Sequence, residues 1–354
     1  MTVTKRQLVE SFRLQAEWCS HLDSELYASL LTTAVEDLES EGVIHGVVED
    51  FDLDPVPAAL PLRFLGGVHR LVLMGLAPEL ARHYPSVGGE PNLETIGSDF
   101  VGVAEQHPSY LRDALSVAPQ TNEVGRSMYL LPGLLEATAG TGHDVRLLEI
   151  GASGGLNLLL DRYRLETSSW TWGDPDSPVA ITADWKGGPP THLEELSVVE
   201  RRGCDVNPLP ADKEEHQLRL LSFLWPDQIE RIERTRGAFE IATAVRPEVD
   251  ESDATTWLSG QLSENVGRGT LTVLQHSVMW QYLPKEAQAD LQAVVDAAAG
   301  NATRSRPFAR VSFEPPPKGF EPDGKGMMLT VTRWPGGETR LLARGHPNGA
   351  WVHW

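Results

Sequence analysis

Cysteine is nearly absent. The 354-residue chain has two, Cys19 and Cys204, far apart in sequence. Two distant thiols make neither a disulfide framework nor a cysteine zinc site, and they suit a reducing cytoplasm. No run of ~18 uncharged apolar residues occurs, so no membrane span is expected. The opening stretch MTVTKRQLVESFRLQ is charged and amphipathic and lacks the apolar core of a secretory signal, which makes the cytoplasm the expected location. Positive charge is scarce as well: 30 Lys and Arg stand against 50 Asp and Glu, a net charge of −20. Repulsion on that scale disfavours nucleic acid unless a local basic patch overrides it. The densest positive stretch, Arg231-Ile232-Glu233-Arg234-Thr235-Arg236, is diluted by acid. A small molecule or a protein is the expected partner, and the surplus acid also serves solubility. No spaced His/Cys/Asp set predicts a metal site. Oligomeric state is left open.

What is present is an ordinary globular composition, 41% hydrophobic, long enough for one large or two ordinary domains. Residues 4 to about 140 read as helices. Leu8, Phe12, Ala16 and Cys19 recur at helical spacing. Ser24 is placed to cap ELYASLLTTAVEDLES, and LRFLGGVHRLVLMGLAPELARHY reads as one helical region ending before Pro85. From about 145 the texture changes. VRLLEI, SVVERRGCDVNP, GTLTVLQHSVMW and FARVSFEP read as strands separated by helical segments, the mark of a largely parallel sheet. GLNLLLDRYRL reads as the helix after the first strand. Residues 166 to 197, with Trp170, Trp172 and Trp185, read as an inserted hairpin or lid. MMLTVTRWPGGETRLLARG predicts a hairpin around Pro335-Gly336-Gly337, and HPNGAWVHW a further turn and strand.

The stretch LLEIGASGGLN, residues 147 to 157, poses the functional question. Gly151-Ala152-Ser153-Gly154-Gly155 fits G-x-S-x-G, the elbow that presents a serine nucleophile, and Asp253 and His276 follow in the order such a hydrolase uses. An elbow gives Glu149 no role, however, and the region before it is helical. The other reading is a backbone cradle, where glycine lets the chain approach a ligand at the carboxyl ends of parallel strands. An acid at the end of the next strand then holds ribose hydroxyls. CDVNP supplies it as Asp205, and the insertion accounts for its distance along the chain.

LLEIGASGGLN followed by GCDVNP resembles the first two motifs of class I S-adenosylmethionine-dependent methyltransferases. ESDATTWL resembles the third, TLTVLQHSVMWQYLP the fourth-strand motif, and the final strands resemble that family's antiparallel end. The similarity spans about residues 145 to 345. It implies an α/β fold: a Rossmann-like methyltransferase sheet, mostly parallel with an antiparallel C-terminal hairpin, over 141-354, and an N-terminal helical cap or substrate region over 1-140. It implies S-adenosylmethionine as cofactor and a small-molecule methyl acceptor. Glu149, Gly151, Ser153 and Gly155 would form the methionine and ribose turn, Asp205 the ribose acid, and Asp253 with Ala254 the adenine contact. Gln275 and His276, with Ser277, would face the methyl group. A serine hydrolase using Ser153, and a non-catalytic metabolite- or protein-binding descendant of the fold, stay open. The whole chain, including PQTNEVGRS and WGDPDSPV, also resembles an uncharacterised bacterial family, domain-of-unknown-function family 2332, which brings no established activity.

Four further groups are two-sided. PQTNEVGRSMYLLPGL puts polar residues ahead of an apolar helix. Thr121 or Asn122 is placed as an N-cap with Glu123 in the first turn, yet Asn122, Glu123 and Arg126 also immediately precede the first strand and would face a ligand there, Arg126 pairing with a carboxylate. His276 in an apolar strand is either a satisfied core histidine or a general base. Trp280 and Tyr282 are either substrate walls or core. The tryptophans of the insertion either pack a hairpin or face a cation.

Overall fold

The computed structural model describes residues 3–22, 24–264, 267–317 and 326–354. The chain divides into two compact units, one made of 1–121 and 217–233, the other of 122–216 and 234–354.

The first unit is helical. Thr4 and Gln7 close a capping box on the helix Lys5–His21, and Ser24 caps Glu25–Glu39 by accepting from Tyr27 N–H. The expected third helical region is interrupted. Leu60–Leu73 ends at Gly75, whose φ of 71° breaks the helix, and a short helix Pro78–Ala81 follows. Phe64 is the hub of the core, with ring contacts to Phe12 at 6.2 Å and Phe100 at 5.8 Å. Residues 217–233 belong to this unit although the sheet-forming sequence surrounds them. Phe223 fills the space beside Gly66, where a Cβ would lie 2.5 Å from its ring, and Asp227 accepts twice from the Ser24 hydroxyl.

The second unit is a mixed α/β structure. Its strands are β1 Asp144–Ile150, β2 Arg164–Glu166, β3 Thr171–Trp172, β4 Ala180–Thr182, β5 Asp184–Lys186, β6 Val198–Asp205, β7 Glu248–Glu251, β8 Thr270–Ser277, β9 Phe308–Glu314, β10 Met327–Trp334, β11 Glu338–Gly345 and β12 Trp351–His353. Among the described residues nine of them form one sheet in the order β5-β12-β11-β10-β9-β8-β1-β6-β7. The run β9-β8-β1-β6-β7 is parallel throughout. β10 is antiparallel to both β9 and β11, and β11 to β12, as the hairpin signal predicts. The insertion contributes a small sheet, β3-β2-β4, and then β5, which joins the large sheet beside β12.

Alternation along β1, β8 and β9 sorts the side chains onto two faces. One face carries Glu149, Gln275 and Val311. The helix Ser127–Thr138 lies on it: a Cβ on Gly133 would come 2.7 Å from Val311, and Tyr129 stacks on Phe313 at 4.1 Å. This helix, which reads from sequence as the end of the helical half, therefore packs on the sheet. The other face carries Leu148, Leu274 and Phe308 against Trp257, Leu258, Leu291 and Val295. No helix among the described residues is long and apolar enough to cross a membrane.

Candidate functional site

The chain order reverses at β1, which has β6 on one side and β8 on the other. In a doubly wound sheet this is where a crevice opens beyond the carboxyl ends of the strands, and where ligands bind. The glycine turn sits at that point. Gly151, Ser153 and Gly155 have φ of 68°, 54° and 76°. A Cβ at Gly155 would lie 2.9 Å from Val249 and 3.1 Å from Pro247, so both backbone and space require glycine there. Ser153 is held in its left-handed conformation by two clasps: its N–H donates to Asp205 Oδ2 at 3.0 Å, and its carbonyl accepts from Leu209 N–H at 3.0 Å. Asn122 Oδ1 accepts from both Gly154 N–H at 3.1 Å and Leu156 N–H at 2.9 Å. Asp205 also accepts from Asn207 N–H through Oδ1 at 2.9 Å.

The segment after the turn is a 3-10 helix, Leu156–Arg162, rather than the expected longer helix. Its carbonyls are used elsewhere. Leu156 O accepts from the Tyr163 hydroxyl, Asn157 O from Gln275 Nε2 and Leu158 O from Arg201. Those bonds compete with an i to i−4 ladder, and β2 begins at Arg164.

Glu149 and Gln275 are register partners across β1 and β8. Glu149 is 1% exposed, and its Oε2, the Oε1 of Gln275 and the Oγ of Ser153 are buried without a hydrogen-bond partner. Burial pushes the Glu149 carboxyl up to about 8, against the lowering effects of Gln275 and Arg126 and with a raising effect from Asp205. Burial thus favours the neutral form of Glu149. Arg126 donates to Ser277 O at 3.1 Å and to Pro347 O at 3.2 Å, bracing the end of β8. Glu123, not Thr121 or Asn122, is the cap of the short 3-10 helix Val124–Arg126: its Oε1 accepts from Gly125 N–H at 3.0 Å and faces Arg234 at 3.6 Å. Asn122 is freed from capping because its amide reaches the glycine turn.

His276 follows Gln275 in the strand and therefore points to the opposite face. Its Nε2 receives a hydrogen bond from Arg310 Nε at 3.0 Å, so Nδ1 carries the proton and donates to Glu314 Oε1 at 2.7 Å. Burial lowers its pKa, with the Glu314 bond opposing. Both ring nitrogens are engaged, and Gln275 and His276 do not form one pair. Ser153 Oγ has no base bonded to it, so Ser153, Asp253 and His276 do not form a hydrogen-bonded triad. Glu314 Oε1 also accepts from Met279 N–H at 3.2 Å and Trp280 N–H at 3.3 Å, while its Oε2 is buried and unpartnered. The guanidinium of Arg310 lies 4.4 Å from the Trp280 ring centroid. Glu314 and Arg310 escaped the sequence reading. Their signal was two opposite charges four residues apart on one face of the otherwise apolar FARVSFEP.

Residues 9–354 match the family described as an uncharacterized protein conserved in bacteria (DUF2332). The chain belongs to this family. No curated protein and no solved structure matches it. In this DUF2332 chain the remaining predicted residues scatter. Asp253 is exposed and caps the helix Ala254–Ser263 by accepting from Thr256 N–H at 2.9 Å, a bond that holds its carboxyl below the usual range. Ala254 is the first residue of that helix. Their link to the turn is indirect: Ser252 N–H donates to Asp205 O at 3.0 Å. Trp280 is half-buried over His276 and Arg310, whereas Tyr282, two residues on, is 76% exposed. Of the insertion's tryptophans, Trp170 lies edge-on to Trp185 of β5 at 4.9 Å, and Trp185 stacks on Trp354 at 5.3 Å. Val278, directly after β8, has φ 52°, a costly conformation for a β-branched residue. Among the described residues no three His, Cys, Asp or Glu side chains group as metal ligands.

Proposed function

We propose that this chain is an S-adenosylmethionine-dependent methyltransferase acting on a small-molecule acceptor, built on a Rossmann-like sheet. One observation carries it: three buried polar atoms without partners, on Glu149, Ser153 and Gln275, lie about the reversal point of a doubly wound sheet, with a carboxylate on the neighbouring strand. Buried polar groups are costly unless bonded, so a set of them at one place marks where a polar ligand would complete the bonding. The residues fit such a ligand. Asp205 has lone pairs beyond those taken by Ser153 and Asn207, and would hold ribose hydroxyls. Glu149, Ser153 Oγ and Gln275 Oε1 would meet the amino-acid end. When bound, the cofactor supplies an electrophilic methyl group. The chain's part is to orient the acceptor and exclude water. Trp280 and Arg126, at the end of β8, are placed to bound the acceptor's side. His276, with both nitrogens spent, positions the 278–282 loop through Glu314 and does not take the proton.

A second reading, a non-catalytic binding protein on the same scaffold, has an observation of its own. A Cβ at Gly151 would meet Met279 at 2.9 Å, and the N–H groups of Ser153, Gly154 and Leu156 are already bonded within the chain. Calorimetry with S-adenosylmethionine and S-adenosylhomocysteine separates the cases, using wild type, Asp205→Ala and Ser153→Ala. Binding lost in Asp205→Ala and weakened in Ser153→Ala supports the cofactor site. Absence of binding to both compounds by the folded wild type would falsify it.

A further inference from the structure

A pocket of about 270 Å³ opens at the other end of the sheet, lined by the starts of β8 and β9, the end of β10 and the tail of the helix Ser127–Thr138. At about 3.3 Å per residue, the six steps from Val145, the register partner of Leu271, to Gly151 put it ~20 Å from the glycine turn. Its charge is unlike that of the molecule. The chain carries −20 overall, yet the described residues lining this pocket include Arg304, Arg333 and His143 and no Asp or Glu. Arg304 is exposed and makes no hydrogen bond or ion pair among the described residues. Arg333 donates to Ala139 O at 3.0 Å and has no acidic partner among the described residues. That bond offsets the partial negative charge of the helix's carboxyl end, which would otherwise repel an anion. Nδ1 of His143 is shielded from water and unpartnered. One wall is aromatic: Phe308 and Trp334 stack at 5.3 Å with an 18° interplanar angle.

We infer that this pocket binds a small organic anion, a carboxylate or phosphate monoester carried on a planar or apolar body. Two guanidinium groups with no carboxylate between them suit an oxyanion, since each offers a fork of N–H donors. The stacked Phe308 and Trp334 rings, with Leu271 and Pro307, suit the body. The size restricts it to a ligand of roughly one ring with its anionic substituent. This site is independent of the methyl-transfer reading, because among the described residues its lining shares no hydrogen bond with the glycine turn.

The test uses the full chain and three probes: benzoate, phenyl phosphate and phenol, titrated by calorimetry and by tryptophan fluorescence. Saturable binding of benzoate or phenyl phosphate, with phenol at least tenfold weaker, is expected. Arg304→Gln, at an exposed position, is expected to leave the circular dichroism spectrum unchanged and to weaken the anion at least tenfold, and Arg333→Gln likewise. Asp205→Asn is expected to leave it unchanged. Failure of both anions to saturate overturns the proposal. So does equal affinity in wild type and Arg304→Gln, or loss of the anion in Asp205→Asn with retention in Arg304→Gln, which would move it to the glycine turn.

Discussion

Replacing Glu149 by Gln isolates the cost of its burial. An unfolded glutamate titrates near 4.5, and in the fold this carboxyl is pushed up to about 8. Between those values the folded protein holds a proton that the unfolded chain has lost. Stability contributed by the neutral acid is therefore complete below pH 4.5 and falls as pH rises toward 8, after which it is flat. Each pH unit inside the window is worth about 1.4 kcal/mol. From pH 5 to pH 7 the wild type should lose roughly 3 kcal/mol from this group alone. Glutamine has nearly the same shape, stays neutral, and offers a donor where the protonated acid had one. Its stability should lack this slope. Urea unfolding followed by tryptophan fluorescence at pH 5, 6, 7 and 8 gives the difference between the two proteins, in which every other titrating group cancels. The variant should match the wild type at pH 5 and exceed it at pH 7. A difference that does not change with pH refutes the reasoning, because it would mean Glu149 is ionised in the fold or already reached by water.

If the ligand at this point is a cation, its binding favours the ionised acid, so affinity for S-adenosylmethionine should rise up to about tenfold per pH unit toward pH 8. Calorimetry in two buffers of different ionisation heat reads the released proton; pH-independent affinity removes Glu149 from the site. Gly155→Ala places a Cβ 2.9 Å from Val249 in a backbone with φ 76°. It should cost roughly 1–3 kcal/mol in chemical unfolding, and an unchanged midpoint would show that the turn is not as tight as described. Val278→Gly removes a strained left-handed valine and should stabilise by about 1 kcal/mol; a lower melting temperature argues that its side chain matters more than its backbone. His276 should stay neutral and protonated on Nδ1, visible in nitrogen-15 NMR as a tautomer that does not titrate between pH 8 and 6. A titration midpoint at an ordinary histidine value would mean the Arg310 and Glu314 bonds do not persist in solution.

The sheet was legible because its core strands announce themselves. LLEI, TVLQ and VSF are short, apolar and bounded by turn residues, and helical spans separate them in a βαβ rhythm. The N-terminal helices were legible from caps and 3.6-residue spacing, Ser24 being one such cap. What escaped was decided by contacts remote in sequence. GLNLLLDRYRL has the apolar content of an α-helix, but Gln275, Arg201 and Tyr163 take its carbonyls and leave a 3-10 turn. No local pattern encodes that competition. Residues 217–233 have helical periodicity wherever they pack, and contacts such as Phe223 against Gly66, Trp225 against Tyr27 and Asp227 on Ser24 decide which unit owns them.

The site shows the same division. Glycine spacing marked the turn, and Asp205 at the end of the next parallel strand follows from strand pairing, so the Asp205–Ser153 bond was foreseeable in kind. Gln275 and His276 adjoin in sequence, which suggests one shared role, but strand alternation separates neighbours onto opposite faces. Gln275 goes with Glu149, one strand away at the same level, and His276 goes with Arg310 and Glu314 on β9. It follows that Gln275→Ala and Glu314→Gln should act separately. The first removes a partner of Asn157 and a neighbour of Glu149, and should alter ligand affinity. The second takes the negative charge from the oxygen that accepts from His276, Met279 and Trp280, which weakens those bonds and should loosen the 278–282 loop. Faces that act independently predict that the losses add within about 0.5 kcal/mol in the double variant. A larger coupling would mean that β8 transmits strain from one face of the sheet to the other, and that His276 bears on the glycine turn after all.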